Sequence, residues 1–261
     1  MAKSSGERLR AARLLIRVDR GAFAGRLLDG ESSPGVRTRV LGVLRWQRDL
    51  DRRLRPFLNR SMTRLDPEVR TVLRLGCFEG HRLGVPAPVA TDAMVRLTRE
   101  LRKTSAAGMV NAVLRRALNA ESTDGGPPDL EWSHPDWVWR RWSTFFGPED
   151  AAAAMAAAQE PAPPWVWFAD ETDRSAAERD GVVLLAHPWC RGAWTARDGR
   201  SELMGRVSTG AAVVQDPSSQ LVALIAVALA GGRGRAVDLC AAPGGKTALM
   251  DHLGGWDLLV A

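Results

Sequence analysis

The sequence has few of the features that mark secreted, metal-binding and membrane-spanning proteins. Its three cysteines, Cys77, Cys190 and Cys240, are odd in number and widely spaced, which argues against a disulfide framework and a zinc ribbon. The four histidines are scattered, and no metal site is predicted. The longest apolar run, residues 221–230, has ten residues, whereas a membrane span needs about 20. Because the N-terminal residues also lack an apolar signal core, the sequence predicts a cytoplasmic protein without a membrane partner.

Basic charge is almost entirely arginine and is concentrated at one end of the chain. Only three of the 36 basic residues are lysines. Residues 1–120 carry 25 basic and 11 acidic residues, whereas residues 121–261 carry 11 and 19. This asymmetry predicts that the N-terminal part binds a polyanion, because guanidinium groups contact phosphates in bidentate fashion. Solvated helix faces in an arginine-rich protein are the alternative, and the asymmetry within one chain favours nucleic acid.

The first 120 residues have the periodicity of helices. Apolar residues recur every three or four positions, as in Leu9, Ala12, Leu15 and Ile16, and no alternating strand pattern intervenes. The pattern predicts an all-α bundle of about six helices over residues 1–120. Arginines crowd the middle of this part, with Arg55 at their end, and six of them are candidate RNA contacts: Arg37, Arg39, Arg45, Arg48, Arg52 and Arg53.

The composition changes after the helical part. Residues 121–130 are rich in Gly, Pro, Ser and Asp and are predicted to be a linker. Residues 131–204 contain eight of the ten tryptophans and are predicted to form a small α+β unit, with strands near 165–168 and 182–186. Tryptophans can stack on bases. We favour the interpretation that they fill the core of a small unit.

Residues 205–261 contain a strand, a glycine turn and a helix in succession. A short apolar strand ends at Cys240, a tight turn follows at residues 243–245, and a helix begins at Lys246. This order is the first unit of a nucleotide-binding α/β sheet, in which the helix N-terminus can bind a carboxylate or a phosphate. The turn is not a nucleoside triphosphate loop, because Cys240 stands where that pattern requires glycine, and the dinucleotide pattern G-x-G-x-x-G is also missing from it.

Residues 238–247, Asp-Leu-Cys-Ala-Ala-Pro-Gly-Gly-Lys-Thr, resemble the methyl-donor motif of the NOL1/NOP2/Sun family of RNA cytosine-5 methyltransferases. Residues 133–137 and 214–220 resemble the starts of the family's small middle domain and of its catalytic domain. Residues 90–95 and 108–115 resemble the NusB-like domain of its bacterial Sun branch, so the resemblance follows the family's order along the chain. The resemblance implies a NusB-like RNA-binding domain, a small middle domain and a Rossmann-like methyltransferase domain. It also implies S-adenosyl-L-methionine as cofactor and a cytosine of small-subunit ribosomal RNA as substrate.

The resemblance further implies which residues hold the methyl donor. They are Cys240, Ala241, Ala242, Pro243, Gly244, Gly245 and Lys246. Asp238 either orients this region or is a structural residue at the end of the strand, and these alternatives stay open.

In the family that this chain resembles, the catalytic cysteines lie well downstream of the glycine turn. This sequence ends 14 residues after Thr247, so those cysteines are expected beyond the end of the chain, and none of its own three is predicted to be catalytic. Residues 205–261 are expected to be an incomplete methyltransferase domain that transfers no methyl group by itself. The alternative function is that of a non-catalytic, NusB-like RNA-binding protein of the antitermination type. The sequence does not indicate an oligomeric state.

Overall fold

Residues 2–120 form a bundle of seven helices. The computed structural model describes residues 2–120 and 127–261. The seven helices are α1 (Ala2–Asp19), α2 (Ala24–Leu28), α3 (Pro34–Arg45), α4 (Gln47–Leu54), α5 (Pro67–His81), α6 (Ala87–Glu100) and α7 (Ala107–Asn119), with 3-10 turns at Arg55–Phe57, Met62–Arg64 and Thr104–Ala106. No strand occurs in residues 2–120, so the prediction of an all-α N-terminal part is confirmed.

Helix α5 is the centre of this bundle. It packs against α1, α3, α4, α6 and α7, and its residues 71–79 are all buried. Helix α3 approaches α5 at Gly42, where an added Cβ would lie only 2.0 Å from Phe78 Cζ. The missing side chain therefore allows the two helices to pack closely.

The carboxylate of Glu79 on α5 is fully buried and is held by two arginines. Arg8 on α1 donates to both of its oxygens over 2.8–3.0 Å, and Arg39 Nε on α3 donates to Oε1 over 2.7 Å. A buried charge is tolerated when it is paired and hydrogen-bonded. Glu79 therefore ties α1 and α3 to the central helix.

Asp49 on α4 is a second buried carboxylate. It accepts hydrogen bonds from Arg52, Arg53 and Arg82, at 2.7, 2.8 and 2.9 Å. Burial alone would raise the pKa of Asp49, but the hydrogen bonds from Arg53 and Arg52 outweigh it and lower the pKa below its ordinary value. Since Arg82 directly follows α5, this cluster joins α4 to the end of the central helix.

Three further helices belong to the same compact unit, Met1–Glu160. They are α8 (Pro128–Glu131), α9 (Asp136–Phe146) and α10 (Pro148–Gln159). The Arg82 guanidinium lies 3.4 Å from the centre of the Trp46 ring, which lies 6.4 Å from the Trp132 ring. Ser133 Oγ accepts from the Arg48 backbone N–H over 2.9 Å. The end of the predicted linker is thus a helix next to α4, while linker residues 121–126 lie outside the described part of the chain.

The second compact unit, Pro161–Ala261, begins with an antiparallel sheet. Its strands are β1 (Val166–Phe168), β2 (Val183–Ala186), β3 (Trp194–Asp198) and β4 (Ala212–Val214), in the order β2-β3-β1-β4. Helices α11 (Glu171–Arg179) and α12 (Arg200–Thr209) pack on it around Val166, Phe168 and Leu203. The predictions of β1 and β2 are confirmed, whereas β3 and β4 were not predicted from the sequence.

The tryptophans do not together fill the core of a unit 131–204 as predicted: Trp167 is buried, but against residues outside that range, and two others are exposed. Trp167 is buried against Ala223 and Leu249. Trp137 and Trp189 are 60% and 69% exposed. Since α9 carries Trp137 within the first unit, the tryptophan-rich region does not form a single core.

A parallel pair of strands follows in the second unit. Helix α13 (Pro217–Ala230) precedes β5 (Arg233–Val237), and helix α14 (Gly245–Leu253) leads to β6 (Gly255–Val260), which pairs with β5. Asp216 caps α13 by accepting from the Ser218 N–H over 2.8 Å. The predicted succession of strand, glycine turn, helix and second strand is therefore confirmed, but the first strand ends at Val237 and not at Cys240, which lies in the loop.

The boundaries predicted at residues 131 and 205 differ from the division of the structure. The chain divides into its two compact units between Glu160 and Pro161. Strand β4, at residues 212–214, lies after the predicted boundary at 205 but belongs to the antiparallel sheet. The division of this chain into four parts stays a prediction. Among the described helices, none is long and apolar enough to span a membrane.

Replacing Glu79 by glutamine is expected to lower the free energy of unfolding of the helical unit by about 3–5 kcal/mol, because Arg8 and Arg39 lose their shared counter-charge while they stay mostly buried. The measurement is urea denaturation followed by circular dichroism. Asp92→Asn is the matched control, since its ion pair with Arg96 is exposed and is worth at most about 1 kcal/mol. Equal losses in the two variants would contradict the role of Glu79.

Acid is expected to remove the contribution of Asp49 to stability. Because its pKa is lowered in the folded state, this contribution is present above the ordinary value of 3.8 and is lost as the pH falls through the folded value. Urea midpoints of the wild type and Asp49→Asn at pH 7, 5 and 3 test this. The difference between the two proteins should shrink toward pH 3, and a constant difference would refute the assignment.

Candidate functional site

The loop between β5 and α14 is a tight turn, and Gly244 at its end has a left-handed backbone conformation. The Gly244 N–H donates to Ala241 O over 2.5 Å, and the Ala242–Pro243 peptide bond is cis. Gly244 has φ +107° and ψ −11°, a conformation that side-chain-bearing residues rarely adopt. No atom lies within 4 Å of the place where its Cβ would be, so this face of the turn is open to a ligand.

Asp238 closes the turn from the end of β5. Its Oδ1 accepts from the Cys240 N–H over 2.9 Å, and its Oδ2 accepts from the Thr247 hydroxyl over 2.7 Å. The hydrogen bond from Thr247 has the largest effect on the pKa of Asp238 and lowers it. Burial has the next largest effect and raises it, and the Cys240 N–H and the Lys246 charge lower it further, so that the pKa lies below its ordinary value. Both carboxylate oxygens thus hold the turn, which favours an orienting role for Asp238.

The first turn of α14 presents free backbone donors. The Ala248 N–H donates to Gly244 O over 2.9 Å, so the N–H groups of residues 245–247 precede the hydrogen-bonded ladder of the helix. They carry the positive end of the helix dipole, and half-buried Lys246 adds a charge beside them. The structure brings the predicted residues 240–246 together in this one turn, where a carboxylate or a phosphate would be stabilised.

Gln215, which the sequence did not single out as a site residue, lies behind the turn. Its side chain, just after β4, is buried, and neither Nε2 nor Oε1 has a hydrogen-bond partner among the described residues. A Cβ on Gly245 would lie 3.6 Å from Gln215 Nε2. Buried amides are normally hydrogen-bonded, so Gln215 is a polar group adjacent to the turn with unused capacity. The signal that could have found Gln215 is its position in residues 214–220, one of the segments that resemble the family.

The six candidate arginines do not form one surface. Three of them hold buried carboxylates: Arg39 binds Glu79, and Arg52 and Arg53 bind Asp49. The others are Arg37, which donates to Leu28 O over 2.8 Å, Arg48, which lies 3.4 Å from Asp129 Oδ2, and exposed Arg45. The arginines of this segment are thus divided between internal bonds and the surface.

The three cysteines differ in exposure. Cys77 is buried on α5, and burial raises the pKa of its thiol to about 12. Cys190 is also buried, burial raises its pKa, and its Sγ donates to Pro217 O over 3.5 Å. Cys240 is exposed in the turn. Within residues 2–120 and 127–261, no group of three or more His, Cys, Asp or Glu residues is placed to hold a metal ion.

Comparison with known proteins assigns the helical bundle of residues 2–120 to a family. The NusB family matches residues 5–119. The "Ribosomal RNA small subunit methyltransferase B" of Xanthomonas campestris is 34% identical over 92% of this chain and 57% of its own length. The proteins of the same name from Thermus thermophilus and Pseudomonas putida are 38% and 30% identical, over 69% and 80% of this chain and 44% and 49% of their own lengths.

The chain belongs to the family of these methyltransferases. The matches run past the NusB part into the second unit, which supports membership of this family over a NusB-only protein. The chain spans about half the length of the curated relatives that it matches. The solved structure named "Crystal Structure of PH0851" has a TM-score of 0.64 and 14% identity, and it covers 97% of this chain and 62% of that one. This likeness shows that the fold occurs in another protein.

Alkylation is expected to distinguish the exposed cysteine from the two buried ones by their rates of reaction. In the native chain iodoacetamide should modify Cys240 first, because its thiol is exposed, whereas Cys77 and Cys190 should react only after denaturation. Peptide mass spectrometry over a time course measures this, with a urea-treated sample as control. Rapid native labelling of Cys77 would be inconsistent with its position in the helical core.

Proposed function

We propose that the chain supplies the RNA-binding and methyl-donor-binding parts of an S-adenosylmethionine-dependent ribosomal RNA cytosine-5 methyltransferase. The observation that carries this is the turn at residues 238–247, which has the residues of the donor motif and a geometry suited to an anionic ligand. Its parallel strands and crossover helix are the start of a Rossmann-like domain. The names of the family members support ribosomal RNA as the substrate.

The residues of the turn fit the methionine end of the donor. Its carboxylate would be stabilised by the N–H groups of residues 245–247 and by Lys246, and the open face at Gly244 would let it approach the backbone. The Gln215 amide is a polar group beside this site with no partner among the described residues. When bound, the donor would supply an electrophilic methyl group, and Asp238 would hold the turn in its binding conformation.

None of the three cysteines is proposed as the nucleophile. A cysteine acts through its thiolate, and the raised pKa of Cys77 and Cys190 disfavours that form. Cys240 is exposed, but its backbone belongs to the donor turn. The nucleophile is therefore assigned to no residue of this sequence. A small-subunit ribosomal RNA substrate and a cytoplasmic location are part of the same proposal.

The helical unit is proposed to bind the RNA. Arg45 is the candidate contact whose side chain is most available. Arg39, Arg52 and Arg53 hold Glu79 and Asp49, whereas Arg48 contacts Asp129 and Arg37 donates to Leu28 O. The match to the NusB family and the excess of basic residues in 1–120 support this assignment. The phosphate contacts would make affinity fall as salt rises.

Donor binding tests the proposal. In equilibrium dialysis with labelled S-adenosylmethionine, we expect saturable binding by the chain and a loss of at least tenfold in Asp238→Ala, because the turn loses the bonds to Cys240 and Thr247. Asp251→Ala is the matched control, since it removes an exposed carboxylate from α14 outside the turn and should bind like the wild type. Absence of saturable binding by the wild type, or equal losses in both variants, would refute the donor site.

A further inference from the structure

A groove lies beside the C-terminal end of α4. It has a volume of about 410 Å³ and is formed by α4, the chain that follows it as far as Met62, and Leu130 of α8. All of these residues belong to the first compact unit. We call it the α4–α8 groove.

Arginines surround the α4–α8 groove. Those that line it are Arg48, Arg52, Arg55 and Arg60. The acidic residue Asp51 also lines it, but both of its oxygens accept from Arg74, each over 2.7 Å. Arg52 is paired with Asp49 and Arg48 contacts Asp129, so the positive charge of the groove outside the ion pairs of the described residues is that of Arg55 and Arg60.

Two of these arginines are available to an external anion. Arg55 and Arg60 are exposed, and neither forms an ion pair with a residue in the described part of the chain. Arg48 has a long contact of 3.4 Å to Asp129, and its Nε is buried without a hydrogen-bond partner in residues 2–120 and 127–261. Guanidinium groups with free donors are the preferred ligands of phosphates.

Part of the lining of the α4–α8 groove is apolar. Leu58, Met62 and Leu130 line it, and all three are at least half-buried. An apolar surface between cationic side chains fits a nucleotide whose base is unpaired, since the base can lie on the apolar surface while arginines contact the phosphates. A duplex keeps its bases stacked inside and offers only its backbone to such a groove.

We propose that the α4–α8 groove binds an unpaired segment of RNA, with Arg55 and Arg60 on the phosphates and Leu58, Met62 and Leu130 under a base. This inference rests on the proposed RNA-binding function and gives that function a location and a substrate class. Arg55 and Arg60 were not among the candidate contacts from the sequence. They are assigned here because they line the groove and because their guanidinium groups are exposed and form no ion pair with the described residues.

Fluorescence anisotropy on the 261-residue chain tests the groove. The probes are a labelled 12-nucleotide single strand and a 12-base-pair RNA duplex, titrated at several salt concentrations. The double variant Arg55→Gln/Arg60→Gln should bind the single strand at least tenfold more weakly. The slope of log affinity against log salt should become shallower by about 1.4, because two phosphate contacts are lost and about 0.7 counterion is released per contact on a single strand. The control double variant Arg99→Gln/Arg116→Gln removes two exposed arginines outside the groove and should lose less than threefold.

A change of the apolar surface separates base binding from charge. Leu130→Ser should weaken single-strand binding at least threefold with an unchanged salt slope, and duplex binding should stay the same. Circular dichroism and thermal melting show whether each variant is folded. Leu130→Ala is the substitute if Leu130→Ser unfolds.

The outcomes distinguish the two proposals. If the wild type binds neither RNA, the proposed RNA-binding function is wrong. If the wild type binds RNA but both double variants lose affinity equally, only the α4–α8 groove is wrong. If the groove variants weaken the duplex as much as the single strand, the assignment to unpaired RNA is overturned.

Discussion

The helical bundle of residues 2–120 depends on the neutralisation of two buried carboxylates, Glu79 by arginines from α1 and α3, and Asp49 by two arginines of its own helix and by Arg82. Each carboxylate is fully buried, and an unpaired charge in such a place costs several kcal/mol. The arginines that meet them come from α1, α3, α4 and the end of α5. The relative positions of these helices are therefore specified by charge as well as by apolar packing around α5.

These buried ion pairs reduce the number of arginines that are free to bind an external anion. Arg8 and Arg39 are needed to offset Glu79, and Arg52 and Arg53 are needed to offset Asp49. Their charge is largely used inside the protein, so the excess of basic residues in 1–120 overstates the number of arginines that can meet an anion. What counts for binding is the smaller set whose guanidinium groups are exposed and lack an ion pair among the described residues, as at Arg55 and Arg60.

The sequence predicts the helices because their determinants are local. The spacing of apolar residues fixes the buried face of α1 or α7 within a few turns. It does not show which arginine meets which carboxylate, since Arg39 and Arg8 lie 40 and 71 positions from Glu79. Strand β4 was missed for a similar reason. It has three residues, and it is defined by pairing with β1, which lies more than 40 positions away. The turn at residues 238–247 was the most predictable part of the candidate site, because Asp238 bonds to Cys240 and Thr247, only two and nine positions away.

The hydrogen bonds of Asp238 to Cys240 and Thr247 also matter for binding a ligand at the turn. Val237 and Leu239 beside the turn are 64% and 91% exposed, so apolar packing contributes little to holding this end of β5. The Gln215 amide reaches the turn only in the folded chain, behind Gly245, and it makes no hydrogen bond to the described residues. The bonds from Asp238 therefore fix the turn, and the conformation of the proposed donor site depends on this one carboxylate more than on apolar packing of the strand beside it.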